Sequence, residues 1–267
     1  MIVWENDLVL DLDKKNLIKT LVENHAKLAK NRTRDIIEGK GQGLVILLHG
    51  PPGVGKTLTA ECVAKATSKP LFPVGVADIG TDSRDVEDKL NKLFSLAAVW
   101  DAVLLIDEAD VFMEQRGSTD STLARNALVS VLLRVLEYYE GILILTTNRV
   151  LSFDVAVQSR IHLAVMYHDL NEKQTREIVK VHMQKREHRL TDDNITSFIE
   201  SAHTSGLNGR QIRNVISSAE AMASARARSY IEYNDIRSVL SHTREFEKAL
   251  KDHISSMRKH NEVPNRG

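Results

Sequence analysis

The sequence predicts an α/β fold in which helices cover both faces of a five-stranded parallel sheet, followed by a separate unit of four helices. Short apolar runs alternate with amphipathic stretches through the first two-thirds of the 267 residues, which is typical of a parallel sheet covered by helices. After Tyr167 the apolar runs stop and helical patterns remain. We therefore predict an α/β domain at residues 1–168, a helical domain at 169–258 and a polar tail at 259–267.

Each predicted strand is a run that is apolar throughout, as expected for strands buried on both faces. The five runs are Leu44–Leu48, Leu71–Val74, Val103–Ile106, Ile142–Leu145 and Ile161–Val165. Apolar residues recur at helical spacing between them, in Lys56–Ala66, Ser83–Ala98 and Leu123–Tyr138. In the C-terminal part, good N-cap residues predict helix starts at Asn171, Asp192, Asn208 and Asn234.

Composition excludes several classes of protein. The 36 basic residues balance the 36 acidic ones, so a nucleic-acid partner is not expected. Cys62 is the only cysteine, which excludes an intramolecular disulfide and a cysteine-rich metal site, and favours a reducing intracellular compartment, with cytoplasm, nucleus and mitochondrial matrix left open. No apolar run approaches the ~18 residues of a membrane-spanning helix, so no membrane segment is expected.

A phosphate-binding loop is predicted at Gly50–Thr57, which fits the pattern G-x-x-x-x-G-K-[ST] between an apolar run and a helical one. Glycines let backbone N–H groups turn toward phosphate oxygens, Lys56 reaches the β and γ phosphates, and the Thr57 hydroxyl holds Mg²⁺. The alternative is a glycine-rich turn that binds no ligand. The residues expected to contact the nucleotide are Pro52, Gly53, Val54, Gly55, Lys56, Thr57 and Leu58.

Two further strand ends carry polar groups that such a site needs. Asp107 and Glu108 follow the third apolar run, at the edge of the sheet where open α/β folds bind ligands. Asp107 is expected to support Mg²⁺, and Glu108 to orient and deprotonate the attacking water. Asn148, after the fourth run, is expected to position that water. A solvated strand end and a turn-forming Asn remain the alternatives for these residues.

With these residues in order, the chain resembles the AAA+ ATPases over nearly its whole length, from Trp4 to Lys248. Gly50–Thr57 is similar to their Walker A motif, Leu104–Glu108 to Walker B, and Asn148 to sensor 1. The glycine-rich segment Gly39–Leu44 resembles AAA proteins of fungi in particular. The resemblance implies an ATPase with ATP or ADP and Mg²⁺ as cofactors, a hexameric ring, and remodelling of a macromolecular substrate, expected to be a protein.

One departure from the family pattern concerns arginines. Where many AAA proteins have two arginines, this chain reads Val157-Gln158-Ser159-Arg160-Ile161, which is similar to the Ser-Arg-Cys box of clamp loaders. The resemblance makes Arg160 the single arginine finger, acting on a neighbouring subunit's nucleotide. An arginine in a surface salt bridge is the alternative. A DNA partner, as in clamp loaders, is disfavoured by the neutral charge.

Two more expectations rest on the resemblance. Asn208–Asn214 is similar to a sensor 2 segment, which makes Arg210 the residue that senses the γ-phosphate and Arg213 the second choice. The expected pore loop, Gly75–Asp82, has no aromatic residue, so strong threading of polypeptides through it is not expected. A natural protein longer than this chain, with a recruiting domain, is expected. A different class of function, a monomeric nucleotide-regulated binding module that hydrolyses slowly, remains the alternative.

Overall fold

The computed structural model describes residue 4 and residues 7–28, 43–75, 83–110, 129–130, 132–134, 136–149 and 155–261. They form two compact units, which divide between His168 and Asp169. Some predicted features fall wholly or partly outside the described residues: the glycine-rich segment before Gly43, the expected pore loop after Gly75, and the first part of the helix predicted at Leu123–Tyr138.

A five-stranded sheet is the centre of the first unit. Its strands are β1 (Leu44–His49), β2 (Leu71–Val74), β3 (Val103–Ile106), β4 (Ile142–Thr147) and β5 (Leu163–Met166). They are all parallel, in the order β2-β3-β4-β1-β5, which confirms the predicted fold class. The β1 strand lies next to the edge strand β5, and its carboxyl end lies between those of β4 and β5.

The fifth strand begins two residues later than the sequence predicted. His162 makes contacts of its own with β1: its backbone N–H donates to Val45 O at 2.9 Å, and its ring Nδ1 accepts from Val45 N at 3.0 Å. Its side chain thus takes the place of a backbone acceptor, and regular pairing starts only at Leu163.

Helices cover both faces of the sheet. They include α1 (Leu12–Leu28), α2 (Lys56–Ala66), α3 (Ser83–Val99) and the short α4 (Val155–Gln158). Residues 129–130, 132–134 and 136–138 are also helical, and we call them the pre-β4 helix. Alternate strand residues enter two apolar clusters: Ile46 packs with α1 and α2, whereas Leu47 packs with α3 and the pre-β4 helix. Burial on both faces explains the apolar runs of β1, β3 and β4, whereas the edge strands β2 and β5 are only partly buried.

The second unit consists of α5 (Glu172–Met183), α6 (Asp192–Thr204), α7 (Gly209–Ala225) and α8 (Tyr233–Asn261) around one apolar core. Asn171 and Asn208 cap α5 and α7 in capping boxes, where the sequence placed them.

The boundaries of two of these helices differ from the predicted ones. Thr191, not Asp192, caps α6, since its hydroxyl accepts from Asn194 N. The α8 helix starts at Tyr233, one residue before the predicted Asn234, and includes the first residues of the predicted tail at 259–267. Methionine, arginine and lysine at 257–259 favour helix, so polarity alone does not end it.

Candidate functional site

The loop after β1 has a backbone that its glycines make possible. Gly50 has φ +142°, and a Cβ on it would lie 2.3 Å from Tyr167 O, so a larger residue would collide with the backbone of the chain after β5. Gly55, at the start of α2, has φ +105° and no atom within 4 Å of its would-be Cβ. The loop is therefore closely packed against the chain after β5 at Gly50 and open at Gly55, which leaves room for a ligand.

Lys56 brings this loop together with the end of β4. Its side chain is only 7% exposed. Its Nζ donates to Gly50 O at 2.8 Å, Pro51 O at 2.6 Å and Asn148 Oδ1 at 2.8 Å. Two predicted site residues that lie 92 positions apart in the sequence are thus in direct contact. An ammonium group held by neutral oxygens at an open loop is suited to exchange them for phosphate oxygens.

Thr57 and Asp107, which the sequence predicts as magnesium ligands, are also in direct contact. Thr57 Oγ1 donates to Asp107 Oδ2 at 3.3 Å, across 50 residues of sequence. A hydroxyl and a carboxylate oxygen are hard oxygen ligands of the kind that Mg²⁺ accepts, and one or two protein ligands suffice for Mg²⁺ bound with a nucleotide. The residues present therefore fit a magnesium ion next to the phosphate loop.

Glu108 has an uncommon backbone conformation. Its φ is +56°, in the left-handed region that non-glycine residues seldom adopt and that occurs often at functional sites. Its N–H is close to Asp107 Oδ1 and to Thr146 Oγ1, each at 3.2 Å. Its side chain is exposed, so water can reach its carboxylate.

Sequence reasoning missed the role of two threonines at the end of β4, because it ended the predicted strand at Leu145 and gave them no function. Thr146 Oγ1 donates to Asp107 Oδ1. Thr147 Oγ1 contacts Asp110 Oδ1 at 3.1 Å and accepts from Arg149 N at 3.0 Å. Buried hydroxyls directly before a predicted site residue were the available signal, because a buried polar group needs a partner.

Arg160, the predicted arginine finger, lies directly after α4 and interacts within its own chain. One guanidinium nitrogen is 3.2 Å from Glu137 Oε2 in the pre-β4 helix, and the other donates to Ala156 O at 2.9 Å. This is the salt bridge that the sequence analysis held as the alternative. A finger acts on a neighbouring subunit, so its role there stays a prediction.

Arg210 and Arg213 lie in the second unit, in the first two turns of α7, and both side chains are exposed. The capping box of Asn208 and Gln211 positions the start of this helix. Their assignment as first and second choice for a nucleotide-sensing residue also stays a prediction.

His49, which lies near Lys56, carries no charge at neutral pH because burial lowers its pKa. Burial lowers the pKa of His49, the last residue of β1, and the positive charges of His168, Lys56 and Lys14 lower it further. His49 is therefore neutral at neutral pH, and the cation in the loop is Lys56.

Neither a metal-binding cluster of side chains nor a membrane-spanning helix is found among the described residues. No three His, Cys, Asp or Glu side chains lie close enough together there to hold a metal ion. No helix in the described part of the chain is both long and apolar enough to cross a membrane.

The sequence of the chain is similar to those of known proteins. Residues 46–169 match the family model "ATPase family associated with various cellular activities (AAA)". The chain is 31% identical to ATP-dependent zinc metalloprotease FtsH 2 of Salinibacter ruber, over 79% of this chain and 34% of that protein. It is 30% identical to ATPase family AAA domain-containing protein 3B of Homo sapiens, over 72% of this chain and 32% of that protein. It thus spans about a third of these relatives.

A solved structure, the FIGL-1 AAA domain in complex with ADP, has the same fold. It superposes with a TM-score of 0.66 at 23% identity, covering 90% of this chain and 83% of that one. Together with the motif order, the match to the family model and the likeness to these ATPases show that the chain belongs to the AAA family of AAA+ ATPases, whose class of activity is ATP hydrolysis.

Proposed function

We propose that the chain binds and hydrolyses ATP with Mg²⁺ at the carboxyl edge of its sheet, assembles into a hexameric ring, and uses the cycle to remodel a protein partner. The observation that carries the catalytic part is the convergence of Lys56, Thr57, Asp107 and Asn148, which come from three separate segments and form two direct contacts.

Each side chain has a task that follows from its chemistry. Lys56 exchanges its carbonyl and amide partners for β- and γ-phosphate oxygens, while Thr57 and Asp107 hold the metal ion. Bound Mg²⁺ supplies positive charge that neutralises the phosphate oxygens. Glu108 takes a proton from the attacking water, and Asn148, whose Oδ1 is released when Lys56 turns to the phosphates, aligns that water through its amide group.

The ring and the lid belong to the same proposal. Arg160 leaves Glu137 on assembly and reaches the nucleotide of the next subunit, where it stabilises charge in the transition state. Arg210 in the second unit senses the γ-phosphate, so that hydrolysis changes the position of this helical lid. The names of the relatives and the neutral charge of the chain favour a protein as the partner that is remodelled.

The test of the catalytic part is the Glu108→Gln variant. We expect its ATP turnover to fall by about 10²- to 10⁴-fold, while the affinity for MgATP stays the same, because glutamine cannot act as a base. Glu200→Gln, which removes an exposed carboxylate from α6, is the matched control and should hydrolyse normally. Wild-type turnover in Glu108→Gln would refute the role of Glu108.

A second candidate function is favoured by one observation, the engagement of Arg160 by Glu137 within a single chain. A chain in this state would be a monomeric, nucleotide-regulated binding module with slow turnover. Size-exclusion chromatography with and without ATP separates the two candidates, since only the ring ATPase shifts to a larger species as ATP is added.

A further inference from the structure

We infer that Thr146 is a positioning residue, whose hydroxyl orients the carboxylate of Asp107 and the backbone of Glu108. Thr146 contacts neither phosphate nor water in this role. It acts through two neighbours whose tasks rest on the proposed ATPase function.

The pairing of β3 with β4 places Thr146 where it can do this. The register pairs Ile106 with Leu145, so one residue further along both strands Asp107 comes to lie beside Thr146. The strand ends are held together by a backbone hydrogen bond from Ala109 N to Thr146 O at 2.8 Å. Thr146 itself is 1% exposed, so its hydroxyl has only protein partners to choose from.

That hydroxyl satisfies a donor and an acceptor at once. It donates to Asp107 Oδ1 and lies 3.2 Å from Glu108 N, whose N–H it accepts. A hydroxyl has one hydrogen and two lone pairs, so both bonds can exist together. A valine of the same shape would make neither.

The bond to Asp107 determines which carboxylate oxygen is available. Oδ1 is occupied by Thr146, so Oδ2 is the oxygen that faces Thr57 Oγ1, at 3.3 Å. The carboxylate plane of Asp107 is thereby held so that Oδ2 points toward Thr57, the other proposed magnesium ligand. Hydrogen-bond partners of a metal ligand commonly raise metal affinity by fixing the orientation of that ligand.

The bond to Glu108 supports an unfavourable backbone. At φ +56° this residue occupies the left-handed region, and its N–H has two acceptors, Thr146 Oγ1 and Asp107 Oδ1. Since the backbone of Glu108 sets the direction in which its side chain leaves the strand, holding this conformation positions the proposed base.

The experiment compares Thr146→Val, which removes the hydroxyl and keeps the shape, with Thr146→Ser, which keeps the hydroxyl. Three quantities are measured: hydrogen exchange of the Glu108 amide in nucleotide-free protein by NMR, binding of a fluorescent ATP analogue in EDTA and across a Mg²⁺ titration, and steady-state ATP turnover.

For Thr146→Val we expect faster exchange at Glu108, a loss of about tenfold in Mg²⁺ affinity and in kcat, and unchanged binding in EDTA. Thr146→Ser should match the wild type in all three. Wild-type Mg²⁺ dependence and exchange in Thr146→Val would overturn the inference. So would equal losses in both variants, because the methyl group would then be what matters, or an equal loss of binding in EDTA, which would indicate general damage to the loop.

Failure of the proposed function has a different signature. If the wild-type protein bound the analogue with Mg²⁺ but did not hydrolyse ATP at any concentration, the hydrolytic role of Glu108 would be wrong. The exchange and Mg²⁺ measurements would still decide whether Thr146 positions its two neighbours.

Discussion

Replacing Glu137 by glutamine is expected to lower the protein concentration at which ATP turnover per subunit reaches half its maximum. In the single chain Arg160 lies 3.2 Å from Glu137 Oε2, so the proposed ring can use Arg160 only after this ion pair breaks. The free energy needed to break the ion pair therefore weakens any contact between subunits that requires Arg160. Glutamine removes the charge and so reduces that cost.

The size of the effect follows from how exposed the pair is. The side chains of Arg160 and Glu137 are 29% and 21% exposed, which places the pair between a surface and a buried salt bridge. We take about 1 kcal/mol for it, the upper end of the range for exposed pairs. At ~1.4 kcal/mol for each factor of ten, the concentration for half-maximal turnover should fall about fivefold.

The assay is steady-state ATP hydrolysis over a range of protein concentrations, for the wild type, Glu137→Gln, Arg160→Ala and the double variant. In the Arg160→Ala background Glu137→Gln should have a smaller effect, since the pair with Arg160 is then already broken. An unchanged or higher half-maximal concentration in Glu137→Gln would refute the reasoning. The same shift with and without Arg160 would also do so, because the glutamate would then act through another partner.

Three other outcomes are expected in the first unit. Burial raises the pKa of the Cys62 thiol to about 11, so a thiol reagent at pH 8 should label it only on unfolding; rapid labelling of the native protein would contradict its buried position. Tyr167→Phe removes the 2.7 Å hydrogen bond between Tyr167 OH and Thr59 Oγ1 and should lower the free energy of unfolding by about 1 kcal/mol, measured by urea denaturation; an unchanged midpoint would show that this bond contributes nothing. Burial lowers the pKa of His162, whose Nδ1 accepts from Val45 N, so its contribution to stability is complete above the unfolded pKa of about 6.5 and is lost as pH falls through the lower folded pKa. Between pH 7.5 and 5 the melting temperature should therefore fall more steeply in the wild type than in His162→Gln. Parallel profiles of melting temperature against pH would exclude this role.

The phosphate loop shows how far sequence reasoning reaches. A loop that curls around phosphate needs glycine where φ is positive, and a lysine and a hydroxyl at set offsets, so its chemistry can be read from consecutive residues. Asp107, Glu108 and Asn148 could be predicted because each follows an apolar run and parallel strands end at one edge. The contacts of Lys56 with Asn148 and of Thr57 with Asp107 agree with that expectation.

Other residues could not be assigned in this way. Thr146 and Thr147 follow the apolar run that ends at Leu145, and their carboxylate partners lie 37 to 39 positions away in the sequence. Only the register of β3 against β4 shows that one hydroxyl meets Asp107 and Glu108 together. The left-handed backbone of Glu108 likewise has no signal in its residue type, since glycine and asparagine are the usual occupants of that region.

The sequence by itself therefore determined the fold class, the order of the motifs and the family of this protein, because apolar periodicity and loop chemistry are properties of neighbouring residues. Only the tertiary structure decided which hydroxyl orients the acidic pair and which carboxylate holds Arg160 in a single chain. Hydrogen bonds and ion pairs act over about 3 to 4 Å in space, and that distance is unrelated to separation along the chain until the strands have paired.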